Sequence, residues 1–441
     1  MNRNKERVDT FNSYQIDFEG INIVALSQVF VFELSQKRLN SSFLDFVKRL
    51  SIENYAKHFL SLFSKNNNSK KAKYLFINDI HNASMISNMR TIQEKFDTPF
   101  KEIISDKRLI SKESKFIYRY ESLFIFIKGF PKYFKVLREN KKTILALAKE
   151  FKISSSLLYL NLLDSFFVLC AVKSLFETEK DIQKIVLNTD VHKVSRAIVL
   201  LAKRSAIKTF VIQHGSTVLE YGYLPVNCDH MITWGELSNK WFLDRNTPVG
   251  KLKTLGSPKM DSLQKFTISK TPILKEVQNV LIIVNPIGDE KVNTFLNLIF
   301  DSGIHKIFNL TIKLHPSSMD NRDLVENFFS KTKAIILKKE NTQKLIYETN
   351  VVITTTSTVG NEAIAFYKPL IQIQLDEMDA IMDYEDYNCC HQIKDSNGLC
   401  ELLKNKELLI SKIRNYEDFI EKYFYRLDGK SAVRIKEFVQ R

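Results

Sequence analysis

The chain has few cysteines, and they form no pattern. Cys170, Cys228, Cys389, Cys390 and Cys400 are the five in 441 residues, and their spacing fits neither a zinc site nor a disulfide framework. A bridge between the adjacent Cys389 and Cys390 would be strained, so a reducing cytoplasm is the expected compartment. The opening residues MNRNKERVDTFNSYQ contain no apolar run of the signal-peptide kind. The sequence holds no Asp-x-Asp motif, internal repeat or low-complexity tract, and no finger, RNA-recognition or helix-turn-helix signature. No metal, cofactor or nucleic-acid partner is therefore expected. The nearest approach to a membrane span, LLYLNLLDSFFVLCAVKSLF at 157–176, is interrupted by Asn161, Asp164 and Lys173. Each would be costly in hydrocarbon, so the segment reads as a buried or half-buried helix.

What is present is an ordinary globular composition, 44% hydrophobic and 26% charged, with a formal net charge of +15. That length exceeds one compact core and implies two domains. Much of the positive charge lies in the first half, at Lys65, Lys70, Lys71 and Lys73, and again at Lys128, Lys132, Lys135, Arg138, Lys141 and Lys142. In the second cluster Phe124, Phe126, Phe130, Tyr133 and Phe134 interleave with the lysines. This suits a helix on an anionic membrane surface or a groove for an acidic acceptor, with a solvated basic face as the plain alternative.

Short apolar runs alternate with helical patterns along the chain. YLFIN at 74–78 reads as a strand followed by Asp79, His81 and Asn82; KIVLN at 184–188 is followed by Asp190 and a helix over 193–204; TFVIQ at 209–213 and MITW at 231–234 come next. A second series begins with VLIIVN at 280–285 and continues with strands near 310–314, 334–337, 351–354 and 370–374. The spacing predicts parallel strands joined by crossover helices. The fold expected is α/β, with two Rossmann-like domains facing across a cleft and extra N-terminal helical segments. The expected division is 1–268, with a helical insertion at about 107–178, then 269–400, then C-terminal helices over 401–441 packing on the domains.

Two segments carry the strongest functional signal, LTIKLHP at 310–316 and VVITTTSTVGNEA at 351–363. Each is a strand whose C-terminal end runs into polar residues, the place where open α/β sheets hold ligands. Thr355, Thr356, Ser357 and Thr358 precede a helical pattern over 359–366, so hydroxyls and free N–H groups could take a phosphate there, unless they simply extend the strand and cap the helix. In the loop after 280–285, Gly288 permits close backbone approach.

Taken in order, Gln213-His214-Gly215, Thr233-Trp234-Gly235-Glu236, Gly256-Ser257-Pro258, His315-Pro316 and Ser357-Thr358 with Glu362-Ala363 resemble bacterial GT-B enzymes of surface polysaccharide synthesis. That set includes polysialyltransferase-like, Kdo-transferase-like and CDP-glycerol glycerophosphotransferase-like proteins, and the resemblance covers about residues 180–380. It implies that His315-Pro316 contacts a donor nucleotide, commonly a cytidine one, and that Glu362 accepts from ribose hydroxyls. It also implies an inverting, metal-independent glycosyl transfer from a nucleotide-activated sugar to a glycan or lipid-linked acceptor, at the inner face of the plasma membrane. His214 could accept the proton of the acceptor hydroxyl or act as an electrophile. Asp190, Glu236, Asp79 and His81 are rival bases, and Gln213 and Gly215 line the same strand end. Three other readings stay open: a CDP-polyol phosphotransferase, a sugar-nucleotide epimerase, and a non-catalytic polyanion- or membrane-binding scaffold.

Overall fold

In the computed structural model the described residues are 2–35, 71–79, 83–105, 114–120, 123–217, 220–271, 274, 276–315, 321–338, 340–375 and 384–441. His81 and Pro316, two of the expected site residues, lie outside them, as do Lys65 and Lys70. Contacts divide the chain into one unit made of Met1–Lys259 with Lys430–Arg441, and a second made of Met260–Gly429. The division falls at 259/260 rather than 268/269, and the last helix, Ser431–Gln440, belongs to the first unit.

Unit 1 opens with a helix, Asn2–Ser13, and a two-stranded antiparallel ribbon, β1 (Asp17–Phe18) and β2 (Ile21–Asn22). Its main sheet contains β3 (Tyr74–Asn78), β4 (Phe100–Ile104), β5 (Ser114–Phe116), β6 (Lys184–Leu187), β7 (Lys208–Ile212), β8 (His230–Thr233) and β9 (Leu252–Thr254). They lie in the order β5-β4-β3-β6-β7-β8-β9, every pair parallel. A parallel sheet is covered on both faces, which explains why its central strands are buried almost without interruption. Leu75, Ile77, Ile185, Leu187 and Val211 pack to one side with the helices Ser155–Thr178 and Lys193–Arg204. Tyr74, Phe76, Val186, Phe210 and Ile232 pack to the other with Met89, Ile92, Ala432, Ile435 and Val439. The chain's final helix is thus half of the cover on that face.

Within the region expected to be mostly helix, β5 is a strand. Only three half-buried residues long, it sits at the sheet edge, where one face of pairing suffices and no periodicity develops. Strand β4 is also new, because Lys101 and Glu102 break its apolar run. The helix Ser155–Thr178 is long and apolar enough to cross a membrane by length and composition, and most of it is buried inside the unit. Asn161 and Ser165 face that interior, where the Asn161 carbonyl accepts from the Ser165 hydroxyl.

Unit 2 holds β10 (Asn279–Val284), β11 (Asn309–Leu314), β12 (Ile335–Leu337), β13 (Val351–Thr354), β14 (Leu370–Ile373) and β15 (His391–Ile393). The order is β12-β11-β10-β13-β14-β15, again all parallel. Val280, Ile282, Val284, Ile312, Val351 and Ile353 form one side of its core with Phe295, Leu296 and Ile299 of the helix Asp289–Asp301. In both sheets the first strand in sequence sits beside its sequence successor on one side and a later strand on the other. The direction in which successive strands are added reverses there, between β3 and β6 in unit 1 and between β10 and β13 in unit 2. Loops at the carboxyl ends of such a strand pair splay apart and leave a crevice.

Candidate functional site

In unit 2 the splayed loops are tied together at their base. Asn285, immediately after β10, donates its side-chain amide to the Thr355 hydroxyl after β13 at 3.0 Å, both side chains being buried. The β10 loop then turns at Gly288, whose φ of +93° favours glycine, and enters the helix Asp289–Asp301. The β13 loop ends at Ser357, in extended backbone, whose hydroxyl accepts from the Val359 N–H at 3.2 Å and caps the helix Thr358–Ala365. That helix is held close to its neighbours. A Cβ on Gly360 would lie 2.7 Å from the Tyr384 ring, and Asn361 donates to the Tyr423 hydroxyl at 2.7 Å. Thr356 is half-buried and Thr358 exposed, so this helix start presents hydroxyls and N–H groups to solvent at the switch point. Glu362 is buried in the same helix.

His315 caps the neighbouring strand β11 at an exposed position. Desolvation first, and Lys313 second, lower its pKa, so the ring is neutral near pH 7 and offers one donor and one acceptor. Lys313 was not foreseen. It is buried on β11, donates to the Lys338 carbonyl, and has its own pKa lowered by burial against the pull of Glu340.

The unit 1 switch point has different chemistry. Asp79, directly after β3, accepts the Ser195 N–H at 2.8 Å, near the start of the helix Lys193–Arg204, and also accepts from the Ser105 hydroxyl. Its own N–H donates to the Asn188 side chain after β6 at 3.3 Å. A carboxylate is favoured at that helix end by the dipole.

One strand along, after β7, His214 is half-buried and stacks on Tyr223 with centroids 4.6 Å apart and planes 10° apart. The turn beneath it is fixed on both sides. The Tyr223 hydroxyl donates to the Gly215 carbonyl at 2.8 Å and accepts the Gly215 N–H at 3.1 Å. Gln213, fully buried, donates to the same carbonyl at 2.8 Å, accepts the Trp234 N–H at 2.8 Å, and receives the Trp234 indole N–H on its own carbonyl at 3.0 Å. Burial and the nearby His192 push the His214 pKa down to about 3, with the Asn188 backbone opposing them. Its Nδ1 is buried with no hydrogen-bond partner among the described residues. The imidazole is neutral and rigidly oriented with one unpaired ring nitrogen, and burial makes it a weaker base than a free histidine.

His192 is the member of this group that the sequence reading missed. It occupies the N-cap of the helix Lys193–Arg204 without capping it through its side chain. Burial lowers its pKa, Asp79 raises it and Arg196 lowers it further. The only sequence signal was its place two residues beyond Asp190 at a strand end.

Asp190 and Glu236 are placed differently from His214. Asp190 is 1% exposed, and its carboxylate accepts the backbone N–H groups of Asn227 and Cys228 at 2.7 and 3.1 Å. Burial raises its pKa, opposed chiefly by Arg196, which is itself fully buried and donates to the Asp190 carbonyl, the Ala25 carbonyl and the Gln28 side chain. A carboxylate used up in this way braces two loops and does not reach a substrate. Glu236 is exposed at the first position of the helix Glu236–Leu243, after β8 and one strand from His214. The sheet therefore lines up Asp79, His192, His214 and Glu236 along one carboxyl edge while withdrawing Asp190. Among the described residues no three His, Cys, Asp or Glu side chains come together as a metal ion would require.

No family model matches the sequence, and no curated protein matches it. Solved structures do match in fold. The UDP co-structure of S. aureus MnaA aligns with a TM-score of 0.52 over 84% of this chain and 96% of its own, at 10% identity. UDP-GlcNAc 2-epimerase from Neisseria meningitidis, bound to UDP-GlcNAc, gives 0.51 over 83% and 99%, at 14% identity. The wall teichoic acid polymerase TagF gives 0.52 over 93% and 97%, at 12% identity. At such identities the likeness concerns architecture alone: the chain has the two-domain, parallel-sheet α/β fold of these GT-B-like proteins.

Proposed function

We propose that this protein is an enzyme acting on a nucleotide-activated donor, and more specifically a metal-independent, inverting glycosyltransferase. The observation that carries this reading is the built switch point of unit 2, where Asn285 and Thr355 clamp two loops beneath the hydroxyl-rich start of the helix Thr358–Ala365. Such a helix start supplies backbone N–H groups and the positive dipole end to a phosphate, and stabilises the charge of a departing nucleotide without further chemistry. His315 contributes a neutral ring beside it for a ribose or phosphate oxygen. In this reading unit 1 supplies His214 as the base that takes the acceptor's proton, with His192 acting on its electrostatics and Asp79 acting in turn on His192. Asp190 has no part in the chemistry.

The solved structures in complex with UDP or UDP-GlcNAc, and a TagF structure soaked with CDPG, support a nucleotide-linked donor. A cytidine-linked sugar and a glycan or lipid-linked acceptor complete the reading. The alignment with TagF over 93% of this chain favours one second reading, transfer of a phosphorylated polyol from a cytidine donor. Calorimetric titration of the purified protein with CMP, CDP, UDP and GDP tests the common part. Cytidine binding that His315→Ala weakens is the expected result, and no nucleotide binding at all overturns the proposal. Incubation with CMP-linked sugars against CDP-glycerol then separates the two readings by which donor is consumed.

A further inference from the structure

Helix Leu123–Glu139 has two faces with different fates. Phe126, Phe130, Tyr133 and Leu137 point inward, where the rings pack on Phe166 and Phe167 of the long helix Ser155–Thr178. Gly129 lets the two helices approach, since a Cβ there would sit 3.1 Å from the Phe166 ring. The Tyr133 hydroxyl locks the contact by donating to the Leu162 carbonyl.

The outer face is exposed, yet it is not polar. Phe124 is 73% exposed, Ile127 62% and Phe134 58%, three of the most exposed large apolar side chains among the described residues. At helical pitch they fall within about 80° of one another around the axis, on a single ridge. Lys128, Lys132 and Lys135 run along the adjoining strip, all exposed, with the Lys128 ammonium 5.8 Å from the centroid of the Phe124 ring. Lys141, Lys142 and Lys149 continue the positive surface onto the next helix, Lys141–Glu150. Lone exposed apolar residues are commonplace, but a contiguous apolar ridge bordered by like charge marks a surface built for contact.

We propose that this ridge docks the protein on an anionic lipid bilayer, the three apolar side chains entering the headgroup boundary and the lysines resting against acidic headgroups. Charge complementarity selects this occupant. A second copy of the chain would bring the same lysines against these and repel, whereas an anionic leaflet attracts every one of them. Shape agrees, because apolar side chains projecting from an exposed helix face can enter a fluid surface. The inference stands apart from the enzymatic reading, since it rests on a face of unit 1 remote in sequence from every site residue.

Co-sedimentation of the full chain with vesicles of about one-third phosphatidylglycerol in phosphatidylcholine tests the proposal. The expected result is binding to these vesicles but not to pure phosphatidylcholine, with added salt weakening it. The variant Phe124→Ser/Ile127→Ser/Phe134→Ser is expected to lose it by about tenfold or more, and Lys128→Gln/Lys132→Gln/Lys135→Gln to lose the preference for acidic lipid. All six side chains are exposed, so both variants should keep the parent melting temperature, which confirms that they fold. Equal binding by the apolar variant, or none by the parent chain, overturns the proposal. So does light scattering that shows a dimer which the apolar variant dissociates, because the ridge would then be a self-association surface.

Discussion

The two switch points are built on the same topology and differ in almost every side chain. In unit 1 the strand ends carry ionisable groups, Asp79, His192 and His214, held in fixed positions by a helix N-terminus, a stacked tyrosine and a buried glutamine. In unit 2 the equivalent ends carry amides and hydroxyls, Asn285, Thr355, Thr356 and Ser357, at a helix start clamped by Tyr384 and Tyr423. Imidazoles and a carboxylate can exchange protons, whereas neutral donors and a dipole hold an anion without titrating. Under the proposed reading, the difference between the regions is a division of labour between reacting and holding.

The largest effect that can break this division is expected at His214. Replacing it with Asn keeps a polar side chain of similar reach but removes the basic nitrogen, and turnover should fall by about 10²–10⁴-fold with nucleotide affinity preserved. Steady-state rates beside calorimetric titration check the split. Equal loss of both would mean that His214 holds the donor and that the two regions share one task.

Next in size is a structural prediction that separates Asp190 from the reacting group. Arg196 is buried and donates to the backbone carbonyls of Asp190 and Ala25 and to the Gln28 side chain, so Arg196→Met leaves these acceptors unpaired and removes the positive charge near the Asp190 carboxylate. Leaving a buried acceptor without its donor costs about 1–3 kcal/mol, and three are affected here. Urea unfolding should show that loss, and the fraction still folded should turn over at the parent rate. A folded Arg196→Met protein without activity would return Asp190 to the list of bases.

Much of this comparison was legible from residues alone. The strands at 74–78, 184–188, 280–285 and 351–354 announced themselves because a parallel strand covered on both faces must be a continuous apolar run. The placing of Ser357 before a helix was readable for the same kind of reason, since capping is local chemistry. What failed to show was whatever depends on partners distant in sequence. Asp190 looked like a base at a strand end, and only the fold brings Asn227, Cys228 and Arg196 around it. His192 carried no motif, and its importance comes from proximity to His214, 22 positions later. Strand β5 was read as part of a helical stretch, and the unit that the final helix joins was not specified, because an edge strand and a returning helix take their places from the rest of unit 1.

A smaller effect, readable in pH, sharpens the contrast further. Burial lowers the pKa of His192, His214, His230, His305, His315 and His391 from the ordinary 6.5, His214 to about 3. Below pH 6.5 the unfolded chain therefore binds protons that the folded chain rejects, so stability falls as pH falls from there toward the folded values. Melting temperature should be flat from pH 8 to 7 and decline toward pH 5. His214→Gln should reduce the slope, whereas Ser357→Ala, in the region that holds without titrating, should leave it unchanged. An equal slope in parent and His214→Gln would show that this imidazole is not withdrawn from protons in the fold.

Ser357 offers the smallest and most discriminating test, because capping and anion binding there can be pulled apart. Ser357→Ala removes the acceptor for the Val359 N–H and should cost about 1 kcal/mol of stability together with some nucleotide affinity, which leaves the cause ambiguous. Ser357→Asp resolves it. Aspartate caps a helix as well as serine and suits the positive end of the dipole, so stability should return to the parent level or above. The same carboxylate would occupy the field that a nucleotide phosphate needs and repel it, so calorimetry with CDP should show weaker binding than in the alanine variant. If the aspartate variant binds CDP as the parent does, the phosphate does not sit at this helix start, and unit 2 must hold its nucleotide by other groups.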